Sequence, residues 1–192
     1  AADSHERRSW YTAYGPMREI SMIPRPIPKT FRAAVMRDLC QPLCIEELSI
    51  PDLRFGQVLV RVLYSGVCRS QLMEVRGGRG EDTWLPHLLG HEGTGIVLAT
   101  GPGVSKVVPG DQVVLGWIEG DGLGASGLQF ESGSGQVNAG SVTTFCTHSV
   151  VAENRIVVLP EGVPLDAAVL FGCALVTGAG MVLNQVRPAP GS

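Results

Sequence analysis

Alternating hydrophobic and polar residues recur in short runs through the middle of the chain. Turn signals rich in Gly, Pro and Asp separate these runs, as at 51–52, 101–103 and 109–111. Many short strands with such turns between them are typical of an antiparallel barrel and not of alternating strands and helices. The pattern predicts a mainly β domain, with strands at 31–36, 44–50, 57–64, 95–100, 112–117, 148–151 and 155–159.

The two ends of the chain differ from this central region. Residues 1–30 are rich in Pro and Arg near 24–28 and predict an irregular arm. From Pro164 onward, a long apolar stretch predicts one or two helices over 165–186, with Cys173 on or between them. We therefore expect an irregular N-terminal arm, a barrel and a helical connection, at residues 1–30, 31–164 and 165–192.

Composition narrows the class of protein. The 192 residues are 44% hydrophobic, which is enough to bury one sizeable core. The formal net charge is −3, and Lys and Arg form no basic stripe for a nucleic acid. No apolar run approaches the roughly 18 residues of a membrane span, and residues 1–30 lack the apolar middle of a signal peptide. Because the five cysteines are not densely spaced, we expect a reducing compartment and a cytoplasmic protein.

Three residues that are far apart in the sequence offer the side chains of a metal site. Cys68 and Cys173 supply thiols, and His91, within the glycine-rich run 90–95, supplies an imidazole. Three protein ligands leave a fourth position open, as in a catalytic zinc site, whereas a structural zinc takes four. Taken alone, each residue is more readily a buried thiol or a histidine in a turn. The chain has no C-x2-C pair, so only the sequence around each ligand can connect the three.

Four segments supply that connection because of their order along the chain. They are GVCRS at 66–70, LGHEGTGIV at 89–97, PGDQVV at 109–114 and GCALVTG at 172–178. The ordered set covers most of residues 31–187 and resembles the zinc-dependent medium-chain alcohol dehydrogenase family. The resemblance implies a GroES-like antiparallel barrel that carries the catalytic zinc, and a helical segment leading toward a Rossmann domain. That domain is absent from this chain, so we expect the chain to be the N-terminal portion of a longer enzyme.

The resemblance also implies roles for individual residues near the metal. Cys68, His91 and Cys173 would bind one zinc ion. Glu92 would be a carboxylate beside the zinc that tunes its coordination, and Ser70 would relay the substrate proton.

Further implied contacts concern the cofactor and partners. Arg69 would contact the phosphates of NAD or NADP, and Thr177 would contact the nicotinamide ring. The implied enzyme is an NAD(P)-linked alcohol or polyol dehydrogenase that acts on a small alcohol or carbonyl compound. It would assemble as a homo-oligomer, and the portion present here would be inactive alone.

Departures from the family pattern occur near the metal and in one loop. Gln71 replaces an aspartate that orients the zinc histidine, and Met73 replaces a histidine of the proton relay. Residues 119–140 lack the four cysteines of a structural zinc, which makes this segment a candidate for mobility. The segment contains G-x-G-x-x-G at 122–127, but the residues that follow cannot sustain a helix, so we interpret it as a loop and not as a dinucleotide site.

Two alternatives to the dehydrogenase remain open on the sequence. A GroES-like binding module would keep the fold, and perhaps the metal, without redox activity, because the nucleotide-binding domain is absent. A zinc-free reductase of the same superfamily is less consistent with the chain, because such relatives usually lose the ligand cysteines.

Overall fold

The computed structural model describes residues 27–189 and 191, and its mainly β architecture confirms the predicted fold class. Most of the predicted N-terminal arm, residues 1–26, lies outside the described residues, and regular structure begins at Thr30. The strands are β1 (Thr30–Met36), β2 (Cys44–Ser49), β3 (Gln57–Ser65), β4 (His87–Leu88), β5 (Gly93–Thr100), β6 (Gln112–Leu115), β7 (Leu128–Ser132), β8 (Gly135–Ala139), β9 (His148–Ala152) and β10 (Ile156–Val158).

Five of the strands close into a barrel in the order β1-β2-β7-β8-β4. Its neighbouring strands are antiparallel, except that β4 runs parallel to β8. The interior is apolar, and the rings of Phe31 and Phe130 meet edge to face with centroids 5.0 Å apart.

The other five strands form an antiparallel sheet in the order β10-β6-β5-β3-β9. Strand β3, which pairs with β5 and β9, is buried over its first four residues and contributes to both cores: Leu59 belongs to the barrel core, whereas Val58 and Val60 belong to a second core. Successive residues of a strand point to opposite faces, so this one strand joins the two cores. It ends at Ser65, three residues before Cys68, the first predicted metal ligand.

The helices are short, and the segment Leu165–Gly172 packs against strands β5 and β6 of the sheet. They are α1 (Arg69–Val75), α2 (Leu165–Ala168) and α3 (Ala174–Gly180), with 3-10 turns at Glu153–Arg155 and Val169–Gly172 and a π turn at Met181–Val186. None of the helices in the described part is by itself long and apolar enough to cross a membrane. The pair Leu165–Gly172 and Ala174–Val186, bent by 55°, meets the length and composition test only when taken together.

Residues 119–140 contain two strands that the sequence did not predict. Residues 120–127, which include the glycine pattern, contain no helix or strand, but the second half of the segment forms the β7–β8 hairpin of the barrel. Leu128, Phe130, Val137 and Ala139 are the buried residues of this hairpin, and they alternate with more exposed ones. The segment is therefore part loop and part barrel wall.

Candidate metal centre

Cys68 lies at the junction between β3 and α1. It has extended backbone angles and forms the N-cap of the helix. The chain can turn away from β3 here because residue 66 is glycine: an added Cβ would lie 2.6 Å from the carboxyl carbon of Glu92. Burial acts to raise the pKa of the Cys68 thiol, but hydrogen bonding from the Ser70 side chain, the largest effect, and from its backbone N–H lowers that pKa below the ordinary value.

His91 lies just before β5. The residue before it, Gly90, has a backbone conformation that other residues rarely adopt. Gly90 has φ +93°, and an added Cβ would lie 2.8 Å from the backbone nitrogens of Thr144 and Phe145. The His91 Nδ1 atom lies 2.7 Å from the side-chain nitrogen of Gln71. The other ring nitrogen, Nε2, is buried and has no hydrogen-bond partner.

Cys173 lies between the 3-10 turn Val169–Gly172 and α3. Two hydrogen bonds attach this segment to the sheet: Trp117 N–H donates to the Gly172 carbonyl (3.2 Å), and Ala174 N–H donates to Glu92 Oε2 (3.1 Å). Burial raises the pKa of the Cys173 thiol. The two predicted cysteine ligands therefore have opposite pKa shifts in the metal-free chain.

The structure brings these three residues together. The ligand atoms of Cys68, His91 and Cys173 all lie within 4.8 Å of one another. A buried ring nitrogen without a partner costs free energy. The unpaired Nε2 of His91 is therefore expected to bind a group that the protein itself does not supply. Two thiols and one imidazole are a set of ligand atoms that suits zinc. The residues present therefore fit the implied metal.

The Glu92 side chain packs against Gly66 and Gly172 and is not one of the three groups that converge. It is 3% exposed, and one of its carboxylate oxygens accepts the Ala174 N–H. The negative charge of Glu92 contributes to raising the pKa of both Cys68 and Cys173. Glu92 therefore contacts the segment that carries Cys173 and acts on the pKa of both thiols.

A pocket of about 370 Å³ is lined by all three predicted ligands. Ser70 and Gln71 line it, together with the aromatic side chains of Trp84 and Trp117, which are 46% and 57% exposed. The Trp117 ring lies 5.9 Å from that of His91. Arg69 and Thr177, the predicted cofactor contacts, are exposed and lie outside the residues that line this pocket.

One polar cluster in the pocket wall was missed from the sequence. His87 is 2% exposed; its Nε2 lies 2.9 Å from Asp82 Oδ2 and 3.8 Å from Glu74 Oε1, while Nδ1 lies 3.0 Å from the Leu88 carbonyl. Burial opposes ionisation of Asp82, but hydrogen bonds from His87 and from Trp84 N–H leave its pKa below the usual value. The signal in the sequence was slight: Glu74 follows Ser70 by one helical turn and so shares its face of α1.

The fold is that of a GroES-like domain, and Cys68, His91 and Cys173 form a group that could hold a metal ion. The sequence profile of the alcohol dehydrogenase GroES-like domain matches residues 54–161, and the chain belongs to this family. It is similar to alcohol dehydrogenase class-3 of Dictyostelium discoideum, with 30% identity over 85% of this chain and 49% of the relative. It is also similar to alcohol dehydrogenase B of Mycobacterium tuberculosis, with 33% identity over 83% of this chain and 49% of the relative.

Solved structures give the same assignment. An alcohol dehydrogenase zinc-binding domain protein from Burkholderia ambifaria matches with a TM-score of 0.72 and 29% identity, over 81% of this chain and 48% of that one. Benzyl alcohol dehydrogenase from Acinetobacter calcoaceticus matches with a TM-score of 0.69 and 27% identity, over 83% and 49%. The chain thus spans about half the length of the relatives it matches, and those relatives are oxidoreductases by name.

Proposed function

We propose that this chain is the zinc-binding catalytic portion of an NAD(P)-linked alcohol dehydrogenase that acts on a small alcohol or carbonyl compound. The observation that carries the proposal is the convergence of Cys68, His91 and Cys173 at the wall of a pocket, where the buried Nε2 of His91 has no hydrogen-bond partner. A zinc ion bound there supplies Lewis acidity, which favours loss of the proton from a substrate hydroxyl near neutral pH.

The residues around the metal have separate tasks in this proposal. Cys68 and Cys173 bind as thiolates, and His91 binds as a neutral imidazole through Nε2. Glu92 keeps the Cys173 segment against the sheet through its bond from Ala174 N–H. Its charge also contributes to raising the pKa of both thiols, although the pKa of Cys68 stays below its ordinary value.

Ser70 is positioned to take part in moving the substrate proton. It lines the pocket two residues after Cys68, at the start of α1. A hydroxyl can accept a proton only as it passes one on. Met73 has no group that can accept the proton, so we assign the next step to water or to the ribose of the nucleotide.

Hydride transfer requires a nicotinamide, and we propose NAD or NADP as its carrier. Arg69, exposed at the first position of α1, is available to the phosphates, and the exposed Thr177 of α3 is available to the nicotinamide ring. We assign the binding of the rest of the dinucleotide to a second half of the enzyme. That half would correspond to the part of the relatives that this chain does not cover. A cytoplasmic location and assembly into homo-oligomers stay predictions.

Metal analysis tests the proposal. The reduced, purified chain should bind about one zinc ion, and Cys68→Ser should lose it. Cys44→Ser is the matched control, because Cys44 is an exposed thiol on β2 outside the site. In an enzyme that includes the nucleotide-binding half, Cys68→Ser should also abolish alcohol oxidation. A wild-type chain that takes up no zinc after reloading would refute the proposal and favour a binding module without redox activity.

A further inference from the structure

Gln71 lies between two of the metal ligands and contacts both. It is the third residue of α1 and is 4% exposed. Its side-chain oxygen accepts the backbone N–H of Cys68 at 2.8 Å, and its side-chain nitrogen lies 2.7 Å from His91 Nδ1. One amide group therefore connects the backbone of Cys68 to the ring of His91.

The orientation of this amide follows from the chemistry of its neighbours. The backbone N–H of Cys68 can only donate, so the atom of Gln71 that faces it must be the oxygen. A Gln side chain that reaches back from the third position of a helix to the N-cap N–H is one half of a capping box, which stabilises the start of the helix. With the oxygen committed to Cys68, the NH2 group of Gln71 faces His91.

This arrangement decides which nitrogen of His91 carries the proton. An NH2 group can only donate, so His91 Nδ1 must present its lone pair to Gln71. The neutral ring then has its proton on Nε2, the buried atom without a partner in the protein. Zinc needs the lone pair of that same nitrogen, and a zinc-binding histidine usually donates its other N–H to an acceptor.

We infer that Gln71 holds His91 in the tautomer that opposes zinc binding and thereby lowers the zinc affinity of the site. This inference rests on the proposed zinc centre. To bind zinc, the ring moves its proton from Nε2 to Nδ1 with no change in net charge, and the Gln71 amide turns over to accept it. The turn leaves the Cys68 N–H facing an NH2 group, since one amide oxygen cannot serve both donors.

The near-isosteric variant Gln71→Glu tests this inference. A carboxylate has two oxygens, so it accepts the Cys68 N–H and the Nδ1–H of the zinc-competent His91 at the same time. Competition with a chromophoric chelator should show zinc binding about 10 to 100 times tighter than in the wild type, the range typical of groups that orient a metal ligand. Gln41→Glu is the matched control, because it makes the same charge change at an exposed turn residue and should leave the affinity unchanged.

A second measurement separates the tautomer from simple attraction between zinc and a new negative charge. In the metal-free chain labelled with 15N-histidine, NMR should find the His91 proton on Nε2 in the wild type and on Nδ1 in Gln71→Glu. Charge attraction alone would not produce the Nε2–H form in the wild type.

The outcomes distinguish this inference from the zinc proposal beneath it. Tighter zinc binding by Gln71→Glu with the expected tautomers, including the case in which only the variant binds zinc, supports the role of Gln71. Equal affinities, or an Nδ1–H tautomer in the metal-free wild type, overturn that role while a zinc ion that depends on Cys68 still stands. Absence of zinc from both proteins overturns the zinc centre and this inference together.

Discussion

Replacing Gly172 by alanine should weaken the metal centre while leaving the barrel folded. Gly172 precedes Cys173 and lies against β6 and the start of β5. A Cβ added there would collide with the carbonyl oxygen of Leu115 and would lie 2.7 Å from Glu92 Cβ and 3.0 Å from Glu92 Cα. These neighbours belong to backbone or to its first side-chain atom, so they cannot rotate away.

The size of the effect follows from these distances. Carbon atoms pack at about 3.5–4.0 Å, so the segment carrying Cys173 has to move outward by roughly 1 Å. Overpacking of this kind costs about 1–3 kcal/mol of stability. The movement takes one thiol away from the other two ligands, and we expect zinc affinity to fall by about 10-fold or more, on the scale seen when ligand positioning is lost.

Gly178→Ala is the matched control for Gly172→Ala. Gly178 lies within α3, and an added Cβ would meet nothing within 4 Å, so alanine should stabilise the helix by about 0.5–1 kcal/mol. Urea unfolding of the metal-free chains gives the stability, and chelator competition gives the zinc affinity. The reasoning is refuted if Gly172→Ala binds zinc as tightly as the wild type and unfolds at the same urea concentration.

Three other measurements test the electrostatics of the structure. Glu153→Gln should lower the free energy of unfolding, measured with urea, by about 2–3 kcal/mol. The buried carboxylate accepts hydrogen bonds from three backbone N–H groups, at 2.6, 2.6 and 2.7 Å, and the amide of the variant would turn a donor toward one of them. Burial acts to raise the pKa of Glu153, but those N–H groups hold its pKa below the usual value. The stabilisation by the carboxylate should therefore be complete above the unfolded pKa, roughly 4.3, and should be lost as the pH falls through the folded pKa. The unfolding curves of the variant and the wild type should converge in acid. In the metal-free chain, peptide mass spectrometry should find Cys68 alkylated faster than Cys173 at neutral pH, because their pKa values are shifted in opposite directions. Zinc should protect both thiols from alkylation. Equal rates without zinc would contradict the assigned shifts.

The sequence predicted seven of the ten strands in the described residues, and it missed β4, β7 and β8. Strands β1, β2 and β3 begin and end within one residue of the predicted bounds. The hairpin of β7 and β8 was missed because glycines flank and interrupt it, although its buried residues alternate as they should. Helix α1 was missed because it is seven residues long and its apolar side chains Leu72 and Met73 are exposed, so it has no hydrophobic stripe.

The three residues of the candidate metal centre were predicted from ordered family segments and not from periodicity. Cys68 and His91 come together because β3 pairs with β5, and Cys173 joins them because residues 165–173 pack on the sheet. Neither contact leaves a repeating pattern in the chain. The sequence identified Gln71 as a departure, but its effect on His91 depends on which atom faces the Cys68 N–H, and only the folded backbone determines that.

Close backbone packing, more than side-chain packing, sets the geometry of the metal centre. A glycine lies within two residues of each ligand, and at Gly66, Gly90 and Gly172 an added Cβ would collide with Glu92 or with residues 144–145. None of the three ligands belongs to either hydrophobic core. The barrel can therefore be stable while the ligands are poorly aligned. A bound zinc ion would connect three chain segments whose positions the hydrophobic cores do not fix. Zinc affinity is for this reason a sharper probe of these glycines, and of Gln71, than the stability of the fold.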